Sequence, residues 1–119
     1  MKNIFTFLLT LCAALCKAQD IQKITPEKAK EFVGEVVTVC GTVQDTYISM
    51  VGNVFLNFGG KYPNQTFTVY FPNIANQDSV KQNFKSYDGK NICVTGAVRI
   101  NKDKPEIEIE RESQIISEQ

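Results

Sequence analysis

Apolar and polar residues alternate along most of the chain after residue 18, as they do in half-buried β-strands. Two of these runs resemble each other, Glu35–Val43 and Asn91–Val98, and each carries a glycine near its end, Gly41 or Gly96. Alternation places the threonines and cysteines of both runs on one face and, on the other, Val37, Val39, Val43, Ile92, Val94 and Val98. Glycine inside a strand indicates a bend, and bent strands allow a small sheet to curl on itself. The pattern therefore predicts a small β-barrel.

Five strands and two helices follow from the alternation and the turn residues. A helix begins at Thr25-Pro26, because threonine is a good cap and proline suits the first helical position, and it ends at Gly34. A second short helix is predicted over Gln77–Phe84. This order is that of a mainly β, five-stranded Greek-key barrel with a short N-terminal helix and a helix between strands three and four. The predicted strands are, in chain order, Glu35–Ile48, Val54–Phe58, Thr66–Phe71, Lys90–Ile100 and Pro105–Arg111.

The first residues are predicted to be a secretory signal peptide. A lysine is followed by an apolar run that is too short for a permanent membrane span, and then by a small-residue site at Ala18. Lipidation is the less favoured alternative, because Cys12 and Cys16 each follow a leucine rather than a small residue. We expect an exported protein, in the periplasm or secreted, with no membrane span once the signal is removed. The predicted divisions are a signal peptide over 1–18, an N-terminal helical lead over 19–34 and the barrel over 35–119.

Charge limits the classes of partner. The full chain has 13 basic and 13 acidic residues, so 11 basic ones remain against 13 acidic once Lys2 and Lys17 leave with the signal. Proteins dedicated to nucleic acid are usually basic, because phosphate contacts supply much of their affinity. Nucleic-acid binding by this chain would therefore need a local patch.

Two cysteines, Cys40 and Cys93, remain after the signal and lie on the outward faces of their strands. In an exported protein they form either a disulfide or a pair of inert thiols, and both readings stay open. The chain has no histidine, so we expect no zinc site. The lack of histidine and of any nucleophile-plus-base set also predicts a protein that is not an enzyme and has no cofactor. Glu106, Glu108 and Glu110 are interpreted as a solvated strand edge rather than a cation site.

Several segments together resemble a known family. They are Val39–Val43, Phe55–Gly59, Tyr62–Val69, Ile92–Gly96, Lys104–Ile107 and Ser113–Ile115. In these segments the chain resembles proteins with the oligonucleotide/oligosaccharide-binding (OB) fold. It resembles in particular the small exported bacterial OB-fold proteins of the nucleic-acid-binding type. The resemblance implies a ligand that crosses the second and third predicted strands and is flanked by the loops beside them.

The resemblance also implies a set of ligand-binding residues. A nucleobase would stack on Phe55 or Tyr70, with lysines on the phosphates. Alternatively, these rings pack against the tail or a helix and the lysines belong to an ordinary solvated turn. We expect an OB-fold binding module for single-stranded nucleic acid, or alternatively an accessory domain for an envelope protein or glycan. The candidate ligand-binding residues are Tyr47, Phe55, Asn57, Lys61, Thr68, Tyr70, Arg99, Lys102 and Lys104.

Overall fold

The described part of the chain is mainly β. The computed structural model describes residues 20–72 and 83–118. Two short 3-10 helices, Pro26–Phe32 and Glu112–Gln114, accompany eight strands there. The strands are β1 Lys23–Ile24, β2 Val36–Ile48, β3 Val54–Phe58, β4 Phe67–Phe71, β5 Asn91–Ala97, β6 Arg99–Asn101, β7 Lys104–Glu108 and β8 Ile115–Ser117. No helix within the described residues is long and apolar enough to cross a membrane.

Strand β2 has 13 residues and is shared between two partners. Its first half pairs antiparallel with β5, and its second half pairs antiparallel with β3. The register shifts between Val43 and Asp45, which marks a β-bulge at the change of partner. Gly41 precedes this point, and a Cβ there would lie 2.6 Å from Cγ of Pro26. Glycine is therefore required where the first helix lies against the strand.

The strand order of the sheet is β6-β7-β4-β3-β2-β5-β8, and β1 pairs with β2. The β4–β7 pairing is parallel, whereas β6 and β7 form an antiparallel hairpin. No ladder within the described residues joins the two ends of this order. The five-stranded closed barrel consequently stays a prediction, while the mainly β architecture is confirmed.

The core lies on one face of this sheet. The valines, isoleucines and phenylalanines that alternation places inward are buried, apart from Phe71, which is only half-buried. The largest fully buried side chains are Phe58, Phe67, Phe84, Leu56, Ile92, Ile107, Ile109, Val37, Val39, Val43, Val54 and Val69.

The element bounds differ from the predictions in several places. The predicted fourth strand divides into β5 and β6 at Val98, which instead bridges to Val33. The lead and the tail contain β1 and β8, which their short polar sequences did not predict. The predicted signal peptide lies outside the described residues, and so does most of the predicted helix Gln77–Phe84, although residues 83–85 are helical.

Cys40 and Cys93 face each other across the β2–β5 ladder and form a disulfide with a Cα–Cα distance of 4.0 Å. The bond joins residues that are 53 apart in sequence. Such a crosslink stabilises the fold mainly by restricting the unfolded chain, and more so for a long loop. It therefore holds the first half of β2 to β5.

Replacing both Cys40 and Cys93 by alanine should lower the free energy of unfolding by about 4 kcal/mol, because a long closed loop is released. Urea unfolding followed by circular dichroism measures the change. Reductant should destabilise the unaltered protein to a similar extent and leave the double variant unchanged. A double variant as stable as the oxidised protein would contradict this role.

Gly41→Ala should destabilise the protein by about 1–3 kcal/mol, because the new methyl group overlaps the Pro26 ring. The same substitution should cost less in a Pro26→Ala background, where the obstructing ring is gone. Thermal unfolding of the four proteins in this cycle measures the coupling. Strictly additive effects would mean that contact with Pro26 is not the reason why position 41 requires glycine.

Candidate ligand-binding cleft

Two rows of side chains cross the face of the sheet opposite the core. We define the polar row as Asp45, Asn57, Thr68 and Glu106, which oppose one another in successive ladders from β2 to β7. We define the aromatic row as Tyr47, Phe55 and Tyr70, which oppose one another from β2 to β4. The two rows lie two residues apart on each shared strand and therefore occupy the same face.

The aromatic row is a continuous strip of rings. The ring centroids of Tyr47 and Phe55 lie 5.9 Å apart, and those of Phe55 and Tyr70 lie 5.0 Å apart. Tyr47 is 56% exposed, whereas Phe55 and Tyr70 are half-buried. The strip ends at Arg99, whose guanidinium carbon is 6.0 Å from the Tyr70 ring centroid.

Buried polar groups distinguish the polar row from an ordinary outer sheet face. Asn57, Thr68 and Glu106 are only 2%, 6% and 4% exposed. The Thr68 hydroxyl donates a hydrogen bond of 2.9 Å to Oδ1 of Asn57. Burying polar groups costs free energy even when they are paired, so this row is a candidate functional surface.

Arg99 neutralises Glu106 at the end of the polar row. Its Nε and Nη2 lie 2.9 and 2.7 Å from Oε2 of Glu106, and Nη2 is also 2.9 Å from Oε1 of Glu108. The hydrogen bond to Glu106 is the main cause that raises the pKa of the Arg99 guanidinium above its usual value. Asn101 donates to the other oxygen of Glu106 at 3.3 Å.

The interpretation of the acidic residues as a solvated edge is wrong for Glu106. Strand β7 pairs with β4 on one side and β6 on the other, so it is not an edge strand. Glu106 is buried on β7, where Arg99 of the paired strand β6 supplies its counter-charge.

The polar row, together with Tyr47 and Phe55, forms the floor of a cleft of about 650 Å³. One wall is the loop after β3, and the other is the β6–β7 hairpin. Lys104 links the two walls, because its ammonium donates to the carbonyls of Pro63 and Gln65, the latter at 2.9 Å. The lining residues are Asp45, Tyr47, Phe55, Asn57, Tyr62, Pro63, Gln65, Thr68, Asn101, Lys102, Lys104, Pro105 and Glu106.

The structure brings most of the predicted ligand-binding residues to this cleft. Those that line it are Tyr47, Phe55, Asn57, Thr68, Lys102 and Lys104. Tyr70 continues the aromatic row beside it, and Arg99 is engaged with Glu106 and Glu108. Lys61 is exposed and does not line the cleft.

Sequence reasoning identified the amide of Asn57 but missed Asp45 and Gln65 in the cleft lining. Strict alternation from Val43, which is in the core, would carry Asp45 to the core side as well. The bulge between them turns Asp45 and Tyr47 to the opposite face. A bulge has no dependable signature in a single sequence, so only the structure places Asp45.

The group of potential metal ligands within the described residues lies away from this cleft. It comprises Cys40, Cys93 and Glu118, whose ligand atoms lie within 4.8 Å of one another. Because the two sulfurs are bonded to each other, neither is a thiolate that could hold a metal ion.

The architecture is similar to that of solved OB-fold structures. An aspartyl-tRNA synthetase from Leishmania major Friedlin matches with a TM-score of 0.54 at 11% identity, over 85% of this chain. This chain spans 21% of that synthetase chain. The OBody AM3L09, solved bound to hen egg-white lysozyme, matches with a TM-score of 0.55 at 13% identity, over 83% of this chain and 96% of the OBody. At such identities the likeness defines the fold alone, which is the OB fold.

A second OBody, AM1L10, also solved bound to hen egg-white lysozyme, matches with a TM-score of 0.51 at 17% identity. It covers 75% of this chain and 83% of its own. No protein-family model and no curated protein sequence matches the chain.

Arg99→Met should lower the free energy of unfolding by about 3 kcal/mol, because it leaves the buried carboxylate of Glu106 without its cation. Glu106→Gln should cost less, about 1 kcal/mol, since an amide keeps hydrogen-bonding capacity without a buried charge. Denaturant unfolding measures both. Lys102→Met is the matched control, because it removes an exposed cation of the same hairpin, and it should change little. Equal effects at Arg99 and Lys102 would rule out the Arg99–Glu106 ion pair as the cause.

Proposed function

We propose that this chain is an OB-fold binding module that holds single-stranded nucleic acid in the cleft, with bases stacked on the aromatic row. The observation that carries the proposal is the strip of Tyr47, Phe55 and Tyr70 beside a concave, polar floor. Each base stacked on an aromatic side chain contributes about 1–3 kcal/mol, largely independent of sequence. Two such contacts are enough for measurable binding without a strongly basic surface.

Electrostatics should contribute little to this binding. Arg99 is engaged by two carboxylates, and Lys104 by two carbonyls. Among the described residues that line the cleft, Lys102 is the cation without a hydrogen bond or ion pair. We therefore expect a shallow salt dependence, equivalent to roughly one or two phosphates neutralised.

The same proposal extends to the fold and its setting. β5 ends at Ala97 and β6 begins at Arg99, so a single residue connects these two strands. The two strands lie near opposite ends of the strand order. This continuity supports a barrel that closes from β5 through β6 to β7.

The disulfide supports export through the 1–18 leader, because such bonds persist in oxidising compartments. In this proposal the module binds its ligand without catalysing a reaction.

An envelope glycan is the second candidate. The cleft lining carries Lys102 and Lys104 against Asp45 and Glu106, so its formal charges balance. Such a balance favours a ligand without a phosphate backbone, and OB folds also accommodate oligosaccharides. The exposed ring of Tyr47 offers an apolar face for a sugar ring.

Fluorescence anisotropy of labelled single-stranded DNA and RNA tests the proposal. We expect micromolar binding that weakens only modestly between low and near-physiological salt. Tyr47→Ala should weaken it about tenfold, because an exposed stacking platform is lost. The matched control is Ile116→Ala, which removes an exposed apolar side chain on β8, outside the cleft.

No binding to any strand at low salt would overturn the nucleic-acid proposal. An equal loss in the Tyr47 and Ile116 variants would overturn the stacking mechanism. Saturable binding of an oligosaccharide that is lost in Tyr47→Ala, with no binding of strands, would support the glycan instead.

A further inference from the structure

Two oxygens in the cleft are shut off from solvent without a hydrogen-bond donor among the described residues. They are Oδ1 of Asp45 on the floor and Oε1 of Gln65 on the wall. Both residues line the same cleft. The other acidic residue of the floor, Glu106, has donors on both of its oxygens.

A buried acceptor without a donor is costly. It loses its hydrogen bonds to water on folding, a loss of about 1–3 kcal/mol or more for a charged group. Native proteins keep few such groups, and those that remain often belong to functional sites. Two of them in one cleft therefore need an explanation in terms of what the cleft binds.

The local backbone accounts for the position of Asp45. The β2 bulge lies between Val43 and Asp45, and it places Asp45 opposite Asn57 at the start of the polar row. Bulges are common next to binding sites, where they redirect a side chain. Without the bulge, alternation would direct this carboxylate into the core.

None of the described cations in or beside the cleft donates a hydrogen bond to these oxygens, and this includes Lys102, which lines the cleft. Arg99 is held by Glu106 and Glu108 at the far end of the polar row. Lys104 donates to backbone carbonyls of the opposite wall. Both oxygens can only accept hydrogen bonds, so the group that would satisfy them is a donor. Because both side chains line the cleft, a ligand held there could supply that donor once the side chains turn toward it.

We propose that Asp45 and Gln65 form a subsite that reads the N–H donors of a guanine stacked on the aromatic row. The inference rests on the proposed function, because it requires a base to be held in the cleft. Tyr47 lies two residues beyond Asp45 on the same face, so a base stacked on that ring lies beside the carboxylate. Single-stranded bases present their Watson–Crick edges for such contacts.

Guanine suits the subsite because its Watson–Crick edge presents two adjacent donors, N1–H and the 2-amino group. Cytosine and adenine present one amino group beside a ring nitrogen that accepts. Thymine and uracil present one N–H between two carbonyls, which would repel a carboxylate. A good pairing with a base edge discriminates against a wrong base by about tenfold or more.

The test compares three thymidine-rich strands by fluorescence anisotropy: one with isolated guanines, one with inosine in their place, and one with thymidine alone. Isolated guanines avoid four-stranded structures, and inosine lacks only the 2-amino group. We expect the guanine strand to bind about tenfold more tightly than the thymidine strand, with inosine between them. Asp45→Asn should bring the ratio of guanine to thymidine affinity close to one.

Asp103→Asn is the matched control, because it removes the same charge from the β6–β7 turn outside the cleft lining. It reproduces any general gain in affinity from a lost negative charge and should keep the guanine preference. Gln65→Ala changes a loop residue, so it should fold even if Asp45→Asn does not. Its ratio of guanine to thymidine affinity then serves as the second test of the subsite. Circular dichroism verifies the folding of each variant.

Binding of all three strands with equal affinity would overturn the guanine subsite and leave the stacking proposal intact. A guanine preference that survives in both Asp45→Asn and Gln65→Ala would overturn the role of these residues. The absence of binding to any strand would overturn the subsite together with the proposed function.

Discussion

The division of β2 between two partners is the constraint on which the rest of the structure depends. One strand of 13 residues serves β5 with its first half and β3 with its second half, so it must bend and shift register on the way. Gly41 leaves room for Pro26 at the bend, and the bulge before Asp45 makes the shift. The disulfide secures the first half to β5. Because the bulge exchanges the two faces of the strand, the core and the cleft are built from the same element.

The pair of Arg99 and Glu106 determines the electrostatic character of the cleft. A carboxylate that is 4% exposed requires a partner, and the hairpin supplies it from β6, directly opposite in the ladder. This pairing removes from ligand binding the arginine that the sequence marks as a phosphate contact. Lys104 is removed in the same way by its bonds across the cleft. Arg99 and Lys104, which look free in the sequence, are here part of the framework. Under the proposed function, shape and stacking therefore supply most of the affinity.

Most of the core, and much of the aromatic row, follow from alternation alone. Phe55 and Tyr70 were placed by parity on β3 and β4, which are regular strands paired without a shift. The burial of Glu106 could not be predicted in this way, because it depends on β7 lying between β4 and β6, with Arg99 opposite Glu106. Asp45 could not be predicted either, because its direction depends on a bulge. The edge strands β1 and β8 are too short to show a period, and they form only because longer neighbours offer free backbone groups.

The arrangement of the polar row supports the proposal that the cleft binds a ligand, because these polar groups do not serve stability. Apolar residues of similar size at Asn57, Thr68 and Glu106 would pack against the loops without the cost of burying polar groups. The chain instead satisfies Thr68 with Asn57 and Glu106 with Arg99, and leaves one oxygen of Asp45 without a donor. The two ends of the row therefore differ: Glu106 has hydrogen-bond donors on both carboxylate oxygens, whereas Asp45 has one oxygen without a donor. Its satisfied end fixes the framework, and its unsatisfied end lies beside the exposed ring of Tyr47, where a ligand has most access.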